Sequence, residues 1–412
     1  MIGSAPHRSK ERFDPHPMTY LDHNATTPPL PAVMEVVESC LREDWGNPSS
    51  THRAGIAARR RIELARDQVA RLIGCRARDL LLCSGGTEAA NLAVRGVMAN
   101  AGDRSGIATS RLEHSAIRDT AERLGKEGSS VHWIRHRPDG VVDLEAFESM
   151  LVEHGDRIAI ASVMWVNNET GVIQPIAEIG RLCREHGVRF HTDAVQAVGR
   201  MPVDVASLDV DLLSFAAHKF HGTKGAGGLF VGRGVRLEPS ITGGGQERDR
   251  RGGTENVPAI AGMGMAAEIA ADWLNRISGD SAAPDSMPAL EARRARFETG
   301  VRTALEGTSE VVVNGEAAPR LWTTSSLAFP RLAAEGMLIA MSERDLMASA
   351  GSACASGSLE PSPILLAMGV PESLAHGSIR FSYSRFTTDA EIDAAIEVVT
   401  RVVESITTSV TG

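Results

Sequence analysis

No apolar stretch in this chain of 412 residues approaches the ~20 needed for a helix to span a bilayer, which removes a helical membrane protein from consideration. Positive charge is not in excess either. With 43 Lys and Arg against 52 Asp and Glu, the formal net charge of −9 disfavours direct nucleic-acid binding, although Arg248, Arg250 and Arg251 make a short basic patch. The five cysteines are an odd number and none lies in a CxxC pair, so neither a disulfide framework nor a metal site is expected. That usage fits a reducing, cytoplasmic setting. Residues 1–18 are polar and contain proline, without the apolar run of a secretory signal, and read as a disordered lead-in. There is no internal repeat and no long like-charge block.

What the chain does have is the composition of a globular protein, 42% hydrophobic and 23% charged, at a length that favours two domains of unequal size. Its middle alternates short apolar runs with helical patterns, the mark of βαβ units around a largely parallel sheet. DLLLCSGGTEAANLAVRGVMA reads as strand, glycine turn and helix. RIAIASVMWVNNETG is a strand entering a polar loop, IAEIGRLCREHG an amphipathic helix, and VRFHTDAVQAVG a strand ending in a polar turn. VDLLSFAAHKFHGTKGAGGLFVG gives two strands around a lysine-bearing loop. A Ser/Asp/Pro-rich interruption, Ser278 to Pro288, separates two helix-like stretches and reads as a surface insertion. Beyond it the pattern suits a smaller α+β domain.

Four positions carry candidate chemistry. Lys219 follows the apolar run VDLLSFAA and precedes a glycine-rich loop; it is either a solvated charge or a lysine held at a core edge, where it can form a Schiff base with an aldehyde. Asp193 ends the strand VRFHTD, where open α/β sheets bind ligands. There it is either a helix cap or a carboxylate that keeps a pyridine nitrogen protonated. In SGGTE, Ser84 to Glu88, the backbone N–H groups of Gly86 and its neighbours and the Thr87 hydroxyl suit a phosphate, although short glycine turns are common. Cys354 differs from Cys40, Cys75, Cys83 and Cys183, which sit in helix- or strand-like apolar patterns. Its surroundings, SAGSACASGSLE, have too few large side chains to anchor it in a core and read as a mobile loop.

Phosphate cradle, acidic strand end and strand-edge lysine come in the order expected of a pyridoxal-phosphate enzyme. The motifs around them are YLDHNATTP, WGNPSSTHRAG, SGGTEAAN, VNNETGVIQPI, HTDAVQA, AHKFHGTKG, GGGQERDRRGGTEN, SAGSACASGSLEPS and SIRFSYSRFTT. From about Tyr20 to about Val399 the chain resembles the cysteine desulfurase family, in the class V aminotransferase-like group of pyridoxal-phosphate fold type I. The resemblance implies an α/β fold. A large domain over 30–270 would carry a mainly parallel seven-stranded sheet between helices, and 19–29 with 271–412 would form a smaller α+β domain bearing the cysteine loop. It implies that Lys219 is the Schiff-base lysine and moves protons, that Asp193 pairs with the pyridine nitrogen, and that Gln196 reaches the ring hydroxyl. His114 would stack on the ring, while Thr87 and His218 bind the cofactor phosphate. Thr254 would reach the phosphate site of a neighbouring subunit, which makes the protein a homodimer. Asn168 and Arg380 would hold the substrate, L-cysteine.

The implied reaction removes sulfur from L-cysteine, leaving alanine and a persulfide on Cys354, for delivery to an acceptor such as an iron–sulfur scaffold. The length of the cysteine segment resembles the long-catalytic-loop subgroup. A selenocysteine lyase or related cysteine lyase is the nearest alternative, and a class V aminotransferase a more distant one. The chain departs from the family at three places. Ala216 stands where a serine hydroxyl usually binds the phosphate, Thr223 stands where proline is usual and could supply a replacement hydroxyl, and the Ser278–Pro288 insertion breaks a usually continuous helical stretch.

Overall fold

The structure, a computed structural model, describes residues 18–351 and 360–411. Its centre is a seven-stranded sheet in the order Leu80–Cys83, Gly227–Val231, Leu212–Ala216, Arg189–Asp193, Ile158–Ser162, Gly106–Ser110, Ser130–Ile134. All pairings are parallel except those of Gly227–Val231, which runs antiparallel to both neighbours. Most of these strands are buried along their whole length, as for a sheet covered on both faces, and that is why they read as unbroken apolar runs. The helices Gly86–Met98 and Ile176–Glu185 lie where the sequence pattern puts them.

A second sheet is antiparallel, in the order Ser349–Ala350, Ser378–Ser382, Thr324–Ala328, Val312–Val313. Near it the strand Thr19–Tyr20 pairs in parallel with Leu346–Met347, which brings the first described residues to the far end of the chain. One continuous apolar core joins the two regions, with Phe215 and Phe220 from the first and Trp322 and Phe381 from the second.

One expectation changes on contact with the structure and another holds. Cys75 lies outside a regular element, because Gly74 takes a left-handed conformation (φ 68°) and ends the helix Arg53–Ile73. The Ser278–Pro288 interruption separates the helices Val257–Gly279 and Met287–Ala304 and is mostly exposed, as expected of a surface insertion, yet it is anchored. Asp285 accepts from Trp273 Nε1 through its carbonyl (3.2 Å) and pairs with Arg276 (2.5 Å), and buried Ser286 caps the following helix. No helix among the described residues is long and apolar enough to cross a membrane, and no three of their His, Cys, Asp and Glu side chains cluster to hold a metal ion.

Candidate active site

At the carboxyl edge of the parallel strands lies a cavity of about 620 Å³. Five of its lining residues follow from strand ends. Asp193 is the last residue of its strand, Ala216 closes the next, and a single 3-10 turn, Ala217–Lys219, then aims Lys219 back at the cavity. On the edge strand Leu80–Cys83, beyond Gly227–Val231, the turn after Cys83 delivers Gly86 and Thr87 at the start of a helix whose first turn no side chain caps. Those first-turn N–H groups can serve an anion. The turn is held close: a Cβ on Gly227 of the antiparallel strand would lie 2.8 Å from Gly85 Cα, and one on Gly86 would lie 2.8 Å from Val195 Cγ2.

Lys219 Nζ donates to the carbonyls of Asn24 (2.5 Å) and Ala25 (2.9 Å). Asp193 Oδ1 accepts from Val195 N–H (2.9 Å), a local turn with no helix behind it, so the capping alternative fails. Burial pushes its carboxyl pKa up, against the pull of His114 and Lys219. Gln196 lies beside it, with Nε2 donating to Asn24 O (3.1 Å) and Oε1 accepting from Arg200, which fixes the orientation of the amide. His114 Nδ1 accepts from Ala116 N–H (3.1 Å), so a neutral ring carries its proton on Nε2. His218 faces Thr26 Oγ1 (3.1 Å), and burial, with help from Lys219, lowers its pKa to about 4.

The opposite wall comes from the second sheet. Arg380 Nη2 pairs with Asp22 (2.8 Å) and Nη1 donates to Asn168 O (3.1 Å). Asn168 Oδ1 and Arg380 Nε are buried without a hydrogen-bond partner among the described residues, an arrangement that awaits a polar ligand. The cavity thus gathers Gly86, Thr87, His114, Asn168, Asp193, Gln196, His218, Lys219 and Arg380. Thr254 is exposed and does not line it. Cys354 lies outside the described residues, as does the loop expected around it; Gly351 before it and Pro363 and Ile364 after it line the cavity. Thr223 does not replace the missing serine hydroxyl, because its Oγ1 donates to Ala259 O (2.9 Å).

Several contributors were not singled out from sequence. Asn24, buried in the HNATTP motif, joins Lys219, Gln196, Arg200 and Asn168 through its carbonyl and its side chain. Arg200 donates to Lys219 O (3.0 Å) and His23 O (2.7 Å) as well as to Asn24, and burial lowers its pKa to about 9. Arg251 pairs with Glu88 (2.9 Å), neutralising a carboxylate in the first turn of the helix Gly86–Met98. Glu113 is fully buried, with Oε1 accepting from Met164 N–H (2.7 Å) and a pKa raised by burial. Asn24 and Arg251 lie inside the motifs and Arg200 and Glu113 outside them, and the bonds of Asn24 span up to 358 positions.

Comparison with known proteins gives one consistent result. Residues 19–395 match the family described as Aminotransferase class-V. The cysteine desulfurase of Trichormus azollae is 40% identical over 390 residues, covering 93% of this chain and 92% of that one. The cysteine desulfurase IscS of Pectobacterium atrosepticum is 42% identical over 387 residues, with 92% and 91% covered. Among solved structures, a NifS-like protein superposes with a TM-score of 0.82 at 31% identity, covering 93% of this chain and 99% of that one.

Proposed function

The chain belongs to the aminotransferase class-V family, and from that premise we propose that it is a cysteine desulfurase dependent on pyridoxal phosphate. The observation that carries the reading is that Gly351, Pro363 and Ile364, on either side of the Cys354 stretch, line the same cavity as Lys219, Asp193 and Arg380. A transaminase needs the last three; only sulfur transfer needs the thiol beside them.

The residues present fit the cofactor. The uncapped helix start at Gly86 and Thr87, with His218 beside it, offers donors to a phosphate, and a buried carboxylate at Asp193 suits a protonated pyridine nitrogen. Gln196 would turn its amide to the ring hydroxyl and His114 would cover the ring face. When bound, pyridoxal phosphate supplies an electron sink next to the substrate's α carbon. Arg380, with its Nε unpartnered, holds the L-cysteine carboxylate, and Asn168, whose Oδ1 can only accept, meets a donor of the bound substrate. Lys219 removes the α proton and later returns one to the alanine carbon. The Cys354 thiolate attacks the substrate sulfur as the carbon–sulfur bond breaks, so that L-cysteine and a thiol become L-alanine and a persulfide. The persulfide sulfur then passes to an acceptor such as an iron–sulfur scaffold protein. Thr254, exposed on its own subunit, reaches the phosphate site of a second copy in a homodimer.

The test is alanine and sulfide release from L-cysteine under a reducing thiol, with added pyridoxal phosphate, for wild type and Cys354→Ala. Equal amounts of both products from wild type, and at least a ~100-fold loss in the variant, are expected. Undiminished release from Cys354→Ala would falsify the reading.

A further inference from the structure

Glu169 follows the substrate-holding Asn168, lines the same cavity, and is buried to 3% exposure. Its backbone is fixed by Asn167, whose Oδ1 accepts from the N–H groups of Glu169 and Thr170 (both 2.9 Å) and whose Nδ2 donates to Leu112 O (3.0 Å). A buried carboxyl in so rigid a turn must earn its desolvation through partners. Two are present. Ser362 Oγ donates to Glu169 Oε2 (2.5 Å) and caps the short helix Pro363–Ala367 by accepting from Ile364 and Leu365 N–H (both 3.2 Å). Gly351 packs on the same carboxyl so closely that a Cβ there would overlap Oε2 and lie 2.8 Å from the carboxyl carbon.

Gly351 and Ser362 flank the stretch that carries Cys354. The strand Ser349–Ala350 leads into Gly351 and is paired with Arg380 and Ile379. One carboxyl therefore touches both approaches to the thiol, and it does so beside the two residues that hold the substrate. We propose that Glu169 is the positioning residue of sulfur transfer, fixing both ends of the Cys354 segment against the Asn168–Arg380 wall. This rests on the desulfurase reading. Loosening either end leaves the thiol as reactive toward a small external reagent but lowers its effective concentration at the substrate sulfur. A misplacement of about an ångström can cost on the order of 10²-fold in rate.

The experiment uses holoenzyme: wild type, Glu169→Ala, Glu169→Gln, Gly351→Ala and the double variant Gly351→Ala/Glu169→Ala. Three quantities are read: single-turnover alanine formation, L-alanine affinity from the cofactor absorbance, and iodoacetamide alkylation of Cys354 by mass spectrometry. The other cysteines interfere little, since burial raises the pKa of Cys40, Cys75, Cys83 and Cys183. Glu169→Ala and Gly351→Ala are each expected to slow alanine formation by roughly 10–100-fold. L-alanine affinity and alkylation should stay within about twofold, and the double variant should be little worse than either single one, as for residues acting through one contact. Glu169→Gln, which keeps an oxygen for Ser362, should fall between. Additive losses, alkylation slowed in parallel, or a Glu169→Ala enzyme as fast as wild type would each overturn the assignment. A wild type that forms no alanine overturns the desulfurase reading itself.

Discussion

Ala216 ends its strand with a methyl group facing the helix start that the proposed phosphate site uses, 3.6 Å from where a Cβ on Gly86 would stand. A hydroxyl at this point would meet the phosphate, and a hydrogen bond to a charged group is worth about 1.5–3 kcal/mol. Ala216→Ser should therefore tighten pyridoxal phosphate binding by roughly 10–100-fold. The position is nearly fully buried, so the same hydroxyl is unsatisfied without cofactor and the apoprotein should lose stability. Equilibrium titration of cofactor against the two proteins, with apoprotein melting alongside, checks both signs; unchanged affinity would mean that residue 216 does not face the phosphate. At this scale the sequence was legible for residues whose chemistry is visible in their type and place, such as Lys219 after its strand and Asp193 at the end of another. It was not legible for Glu169 or Thr223. A carboxylate in a loop motif reads the same whether it binds substrate or a serine 193 positions away, and a threonine hydroxyl does not announce that it will be used by a helix carbonyl.

Elements place these residues, and the loop over residues 243–256 does so under strain. Glu247, Arg248 and Asp249 all adopt left-handed backbone (φ 46°, 60° and 64°), a conformation that side-chain-bearing residues hold only when tertiary contacts impose it. The contact here is Glu247, bidentate to Arg66 (2.7 and 2.9 Å) and accepting from Leu82 N–H (2.9 Å), in a pair buried on both sides. Glu247→Ala strands the Arg66 cation in the interior, at a cost of about 3–5 kcal/mol. Urea unfolding should show that loss, and the double change Arg66→Met/Glu247→Leu should recover most of it; a shift under about 1 kcal/mol for Glu247→Ala would mean that the loop is held elsewhere. The long strands and helices were readable because burial on both faces leaves an apolar run and burial on one leaves a helical period. Strands of two residues, such as Leu346–Met347 and Ser349–Ala350, are too short to show any period, and the partner of the first, Thr19–Tyr20, lies at the other end of the chain.

Across the whole molecule, the turn at Gly86 and Thr87, Lys219, Asn24 early in the chain and Arg380 late in it converge on one cavity, yet Thr254 stays outside it. Glu255, next to Thr254, shares a groove with Arg59, Ile62 and Arg66 of the helix Arg53–Ile73, and this helix and Pro31–Glu43 leave Met34, Leu41, Ile56 and Leu64 exposed, with Trp45 in the chain between them at 75% exposure. The proposed homodimer would cover exposed apolar side chains of this kind, and a second copy would bring its own Thr254 to the phosphate. Mixed dimers separate this arrangement from one in which Thr254 serves its own subunit. When Lys219→Ala and Thr254→Ala chains are co-expressed under two tags, the heterodimer keeps a single site with a lysine. If Thr254 acts across the interface, that site receives the intact threonine of the Lys219→Ala chain and binds cofactor as wild type does. If Thr254 acts within its own subunit, the same site stays roughly 10-fold weaker or more, like the Thr254→Ala homodimer. Cofactor fixed on Lys219 by borohydride, measured at limiting pyridoxal phosphate, distinguishes the two outcomes. A chain that sediments as a monomer would remove the premise altogether.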